Sequence, residues 1–163
     1  MEEQILKKMH ELETRIDYKF NDISWLSKAM RSQEIDRGSC KKRRFSNDTL
    51  AVVGDAALKT VWADRLYFTT ERSGDLTEEK KAFESNATFY KIVEGENLRI
   101  YTYNDSGFDT AEHKVLKSKE AKHDPYIEAI AGAIYYDGGF DQAKAWCEQW
   151  LLPLVEKYTE RPE

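Results

Sequence analysis

Asp48 and Asp55 stand seven residues apart in N-D-T-L-A-V-V-G-D-A-A-L, and Asp124 and Glu128 stand four apart in H-D-P-Y-I-E-A-I-A-G-A-I-Y-Y-D-G-G. On a helix, seven residues return to within about 20° of the same face, and a separation of four does nearly as well. Carboxylates on two helices that pack together are the oxygen donors a hard cation such as Mg²⁺ takes, with water completing its shell. A cation held this way activates water and steadies the leaving oxygen of a phosphodiester. Ala51, one turn before Asp55, and Pro125, close before Glu128, occupy the same faces without a carboxylate. If the two helices cross near Asp55 and Glu128, at least two carboxylates converge, with Asp48 and Asp124 as further acidic candidates. Each of the latter also has a plain structural role. Asp48 lies in a first helical turn, where negative charge is favourable, and Asp124 is suited to cap a helix whose first turn holds Pro125.

Apolar spacing says which elements must hold these groups. Ile5, Met9, Leu12 and Ile16 form a one-faced stripe over Met1 to Arg15, and Asp22 is placed to cap a second helix carrying Trp25, Leu26, Ala29 and Met30. Residues from Gln33 to Phe45 are polar, basic and contain Gly38, which reads as a loop. Ser46 or Asn47 then caps a long helix to about Thr69 with the stripe Leu50, Val53, Ala57, Leu58, Val61 and Leu66. A further helix is expected from Asp75 to Val93. Leu98 to Tyr103 alternates like a strand but has no evident partner, so 95–122 reads as a mixed insertion with a short helix near Lys114 to Lys119. The second acidic helix starts at Asp124-Pro125, ends at Gly138-Gly139, and carries Ala129, Ala131, Gly132 and Ala133, small enough for a neighbouring helix to approach closely. The last helix, Asp141 to Glu160, carries Ala143, Trp146, Trp150, Leu151 and Leu154 and is expected to bend at Pro153. The reading is a single all-α domain over 1–163.

The bulk properties agree. The chain has 163 residues, 40% hydrophobic and 34% charged, which is enough for one core. No apolar run reaches the roughly 20 residues that cross a bilayer. Met1 to His10 lacks the apolar centre of a secretion signal, so a cytoplasmic or nuclear protein is expected. Cys40 and Cys147 are too few and too distant to suggest a disulfide framework. A net charge of −5 argues against a surface coated for nucleic acid, although Lys41, Lys42, Arg43 and Arg44 make a local basic run. That run suits either a solvated loop or contact with phosphates.

Four segments, in order and at plausible spacing, resemble the ribonuclease III domain family. They are L-E-T-R-I-D-Y-K-F-N-D-I-S-W-L-S-K-A-M (Leu12 to Met30), the Asn47 to Leu58 signature, S-G-D-L-T-E-E-K-K-A-F-E-S-N (Ser73 to Asn86), and P-Y-I-E-A-I-A-G-A-I-Y-Y-D-G-G. The similarity runs from about Leu12 to Leu151. It implies a dimeric helical endonuclease domain that cuts both strands of double-stranded RNA with Mg²⁺, held in that family by four carboxylates per subunit. Transferred residue by residue, Asp55 and Glu128 match, Ala51 replaces a Glu, Pro125 replaces an Asp, and Asp75 stands where the family has Glu. Asp48 keeps an acidic position at the edge of the site. Val52 stands where an aromatic residue often plugs the dimer contact, and with the sequence ending at Glu163 an appended double-stranded-RNA-binding domain is not expected.

The resemblance thus implies a homodimer associated with double-stranded or structured RNA. Its catalysis is expected to be weak or lost, with Mg²⁺ weakly held. Two alternatives remain: an active Mg²⁺-dependent ribonuclease using a shifted Asp124, and a structural module of a ribonucleoprotein with a protein partner. Lys41 to Arg44 is the candidate RNA contact.

Overall fold

Helix α5 (Tyr126–Gly138) is buried on every side through its middle. Tyr126, Ile127 and all six residues from Ala129 to Ile134 are buried, the pattern of a helix wrapped by others rather than laid on a surface. The computed structural model describes residues 1–32, 34–36, 41–43, 46–68, 85–115 and 125–159. Against α5 pack α3 (Ser46–Tyr67), α2 (Ser24–Ala29), α6 (Phe140–Trp146) and α4 (Asn86–Gly95), while α1 (Glu2–Ile16) packs on α2 and α7 (Leu152–Thr159) on α4. A single core joins them, with Met9, Leu12 and Ile16 from α1, Leu58, Val61 and Trp62 from α3, and Phe89 and Ile92 from α4. Each large aliphatic side chain fully withdrawn from water contributes about 1.5–3 kcal/mol to this core. Among the described residues the domain is all-α apart from two short hairpins.

The crossing of α3 and α5 is set by backbone meeting backbone. A Cβ on Gly54 would lie 1.6 Å from the carbonyl oxygen of Glu128, and a Cβ on Gly132 would lie 2.1 Å from that of Leu50. Each glycine therefore faces the other helix's main chain, and no side chain of any size fits at either place. The small residues of α5 foretold a close approach; that its partner is Gly54 was not read from the sequence.

Asp137, near the end of α5, ties in the α1–α2 corner. Its carboxylate accepts hydrogen bonds from the Tyr18 hydroxyl at 2.9 Å and from the backbone N–H groups of Asn21 and Asp22 at 2.9 and 2.8 Å. Burial and this contact with Asp137 push the Tyr18 hydroxyl pKa up. Asp22 in turn accepts from the Ser24 N–H at 3.0 Å, but the residue that caps α2 is Ile23, one position later than expected. Hydrogen bonds from the Ser24 side chain and then its N–H hold the Asp22 carboxyl below the usual range. Gly139, with φ 86°, turns the chain out of α5 where the double glycine was expected to end it.

Several expected elements differ. The Gln33 to Phe45 segment contains a hairpin, β1 (Glu34–Asp36) antiparallel to β2 (Lys41–Arg43), with Glu34 opposite Arg43 and Asp36 opposite Lys41. Strands of three residues are too short to leave a period in the sequence. Leu98–Tyr101 is a 3₁₀ turn, not a strand, and the missing strand partner is close by: β3 (Tyr103–Asn104) pairs with β4 (Gly107–Phe108) across a turn at Asp105 and Ser106. Gly107 at φ 139° allows that turn. Lys114 and Val115 are not helical, and the rest of the expected helix to Lys119 lies outside the described residues, as does Asp75. Ser85 is extended, so α4 begins at Asn86 and the expected Asp75 to Val93 helix is not continuous. Helix α5 is capped by Pro125 and starts at Tyr126, one position later than expected. The final helix does not simply bend at Pro153. A π turn over Cys147–Leu151 precedes α7, widening the ladder just before a residue that has no N–H to give.

Gly54→Ala tests the crossing. Pushing two backbones apart in a filled core costs more than an ordinary overpacking change, so a loss of about 3 kcal/mol or more is expected in urea unfolding. A variant within about 0.5 kcal/mol of wild type would mean that the helices do not touch at Gly54.

Candidate functional site

The crossing that needs Gly54 also delivers Asp55 and Glu128 to one place, because Asp55 follows Gly54 and the Glu128 carbonyl is what Gly54 touches. Glu128 lies in the first turn of α5 and keeps some exposed surface, but its Oε2 has none and finds no hydrogen-bond partner. Burial raises the Glu128 pKa from 4.5 to about 7; the bond to its own backbone pulls the other way, and the negative charge of Asp55 adds to the rise. Asp55 is half-exposed, and its Oδ2 lies 2.8 Å from the Lys59 ammonium one turn further along α3. Nothing in the sequence reading singled out Lys59, although an acid four residues before a lysine on a helix is a recognisable signal.

Ala51, one turn before Asp55 on α3, is buried and offers no carboxylate. Asp48 shares the face of Asp55 but stands about 10 Å further along the axis. Oxygens bound to one Mg²⁺ lie only about 3 Å apart, so Asp48 and Asp55 do not share an ion. Asp124 lies outside the described residues, and Pro125, beside it, offers no donor. Among the described residues, no three His, Cys, Asp or Glu side chains gather closely enough to hold a metal. Two carboxylates, one paired with an ammonium and one inclined to keep its proton near neutrality, do not fit a tightly bound Mg²⁺. Lys41, Lys42 and Arg43 lie on β2, just ahead of α3, and Arg44 is outside the described residues.

A second feature lies on the outer side of α3. Val52 is 72% exposed, and Tyr135 and Tyr136 are also exposed at the end of α5. With Val53, Ala56 and Phe140 they line an apolar groove of about 520 Å³. Trp25 stacks on Tyr136 with ring centres 5.0 Å apart, and Lys28 lies over the Trp25 ring, so the apolar wall continues onto α2. Cys147 is remote from both features; burial pushes its thiol up to about 12, leaving it inert. No described helix is long and apolar enough to cross a membrane.

The Glu128 carboxyl links stability to pH. The folded protein holds this proton more tightly than the unfolded chain, so between about pH 4.5 and 7 it binds more protons and stability falls as pH rises. The contribution is complete below pH 4.5 and is gone above about pH 7. Glu128→Gln removes it, and the loss of stability from pH 5 to pH 8 is expected to shrink by on the order of 2 kcal/mol. Parallel unfolding curves for the two proteins would show that Glu128 is not buried in its charged form.

Comparison with known proteins bears on the same two helices. Residues 35–155 match the family described as Ribonuclease-III-like. The chain is 30% identical over 158 residues to Ribonuclease 3 of Desulfotalea psychrophila, covering 94% of this chain and 63% of that protein. It is 30% identical over 136 residues to Ribonuclease 3 of Dehalococcoides mccartyi, covering 82% of this chain and 56% of that one. The chain therefore spans somewhat under two thirds of the length of these relatives. The crystal structure of the nuclease domain of ribonuclease III from Campylobacter jejuni superposes with a TM-score of 0.65 at 26% identity, covering 96% of this chain and 97% of that domain. A second structure of that nuclease domain, TM-score 0.65 at 27% identity over 94% of this chain and 97% of the other, was described for flexibility in a region involved in dimer formation. The match takes in both helices of the crossing, and the chain belongs to the ribonuclease-III-like family.

Proposed function

We propose that this domain is a homodimer that associates with double-stranded or structured RNA and has weak or no nuclease activity. The observation that carries the reading is the composition of the crossing: Asp55 and Glu128 converge there, while Ala51 is a buried methyl group and Pro125 opens α5 without a donor. Family membership supplies the RNA class. The missing donors supply the weakness, since each lost carboxylate removes both charge and a fixed oxygen from a cation.

The groove beside Val52 supports self-association. An exposed valine next to an apolar groove on the same surface is self-complementary, as a twofold contact requires. The solved Campylobacter jejuni relative has a dimer-forming region of its own. RNA binding falls to Lys41 to Arg44, because the carboxylates at the crossing repel phosphates unless a cation covers them. The alternative, an active Mg²⁺-dependent double-strand-specific endoribonuclease, is favoured by one detail: Glu128 Oε2 is buried without a partner, as an oxygen awaiting a ligand would be. Nothing specific favours the ribonucleoprotein scaffold over these two.

Long duplex RNA with Mg²⁺ or Mn²⁺, beside an Asp55→Ala control, separates the readings. The expected result is little or no cleavage above the control, with binding that weakens along a salt slope of about −3 to −4, as about four phosphate contacts give. Replacing Lys41, Lys42, Arg43 and Arg44 by Ala is expected to abolish the binding. Cleavage that Asp55→Ala removes would establish the active enzyme instead. Binding that persists at high salt or in the quadruple variant would point to the scaffold. For assembly, Val52→Asp places a charge at the lip of the groove and is expected to convert a dimer to a monomer in light scattering. A wild-type monomer at tens of micromolar would refute the dimer.

A further inference from the structure

We propose that Lys59 is a built-in counter-ion that competes with divalent cations for Asp55, so that the carboxylate pair is neutralised from within the chain. The inference rests on the reading of the crossing as poor in donors. Lys59 Nζ lies 2.8 Å from Asp55 Oδ2, with the acid one turn on the N-terminal side, the favourable orientation for such a pair on a helix. The two side chains are 49% and 47% exposed, so the ammonium reaches the carboxylate from solvent, the side from which a hydrated ion enters. The opposite side of Asp55 is closed by the crossing itself, where Gly54 meets the main chain of Glu128.

Charge counting decides the competition. Asp55 and Glu128 together carry at most two negative charges, and the ammonium of Lys59 leaves at most one net. A dication on Asp55 must displace that ammonium or sit beside it, and like charges about 5 Å apart at a protein surface repel strongly. The pair alone is worth about twofold in any competing equilibrium. With repulsion of the dication added, the effect on its affinity is on the order of tenfold. A site crowded with further carboxylates would absorb such a charge; this one, with Ala51 buried one turn before Asp55, does not.

The test uses the full chain and Mn²⁺ alone, with free Mn²⁺ followed by electron paramagnetic resonance. Wild type, Lys59→Gln, Lys59→Arg and the Lys59→Gln/Asp55→Ala double variant are titrated, and thermal melts confirm that each is folded. Glutamine keeps the helix propensity of lysine, so the substitution removes charge without breaking α3. Lys59→Gln is expected to bind Mn²⁺ about tenfold more tightly than wild type. Lys59→Arg is expected to match wild type, and the gain is expected to vanish in the double variant. Equal affinity of wild type and Lys59→Gln, including no binding by either, overturns the inference and leaves the donor-poor site standing. A gain that survives Asp55→Ala, or that Lys59→Arg also shows, overturns it too. Micromolar binding by wild type overturns the donor-poor reading instead; a further tenfold gain in Lys59→Gln would still uphold the competition, and no gain would end both.

Discussion

The close contact between Gly54 and Gly132 sets the distance at which everything else near the site is arranged. Two helices usually stand 8–10 Å apart because their side chains keep them there. Here each glycine exposes its backbone to the other helix, the Gly54 side meeting the Glu128 carbonyl and the Gly132 side meeting that of Leu50. The approach buries α5 on all faces over Ala129 to Ile134, which the Ile- and Ala-rich sequence there makes favourable. It also leaves no freedom in where the neighbours of those glycines go. Asp55 is carried to the first turn of α5, Ala51 is buried, and Glu128 is drawn against apolar surface.

That geometry explains the electrostatics of the pair. A carboxylate drawn out of water prefers its proton, and the nearby charge of Asp55 strengthens the preference. Asp55 stays nearer to solvent and takes the cation within reach, the ammonium of Lys59. The two acids of the crossing are thereby stabilised by different means, one by protonation and one by pairing. Neither requires an external ion. In a site with more carboxylates, mutual repulsion would make an external cation much more favourable.

The outer side of α3 is built differently. Leu50 and Leu58 turn toward α5, while Val52 faces away, where Tyr135, Tyr136 and Phe140 frame the groove. Both ends of α5 are held: Pro125 and the α3 crossing at the start, and Asp137 with its bonds to Tyr18, Asn21 and Asp22 at the finish. A helix pinned at both ends presents the carboxylate and the tyrosines as parts of one rigid unit. The groove and the carboxylate pair thus share a scaffold without sharing residues.

The helices were legible in the sequence because their stripes are local. Met9, Leu12 and Ile16 recur at helical spacing and are all buried, and the glycines after Asp137 end α5 as their backbone freedom suggests. The family was legible too, since Asp55 and Glu128, with Ala51 and Pro125, stand in segments whose order and residue types match it. The two hairpins were missed, because pairing between short strands depends on residues that meet across a turn and leave no period along the chain. The state of the donors was equally hidden. An Asp and a Glu far apart in sequence carry no sign of which will be buried, which will find a lysine, or that a glycine beside one of them admits the backbone of the other. Those outcomes depend on solvent exclusion and on distances between helices, which exist only once α3 and α5 have packed.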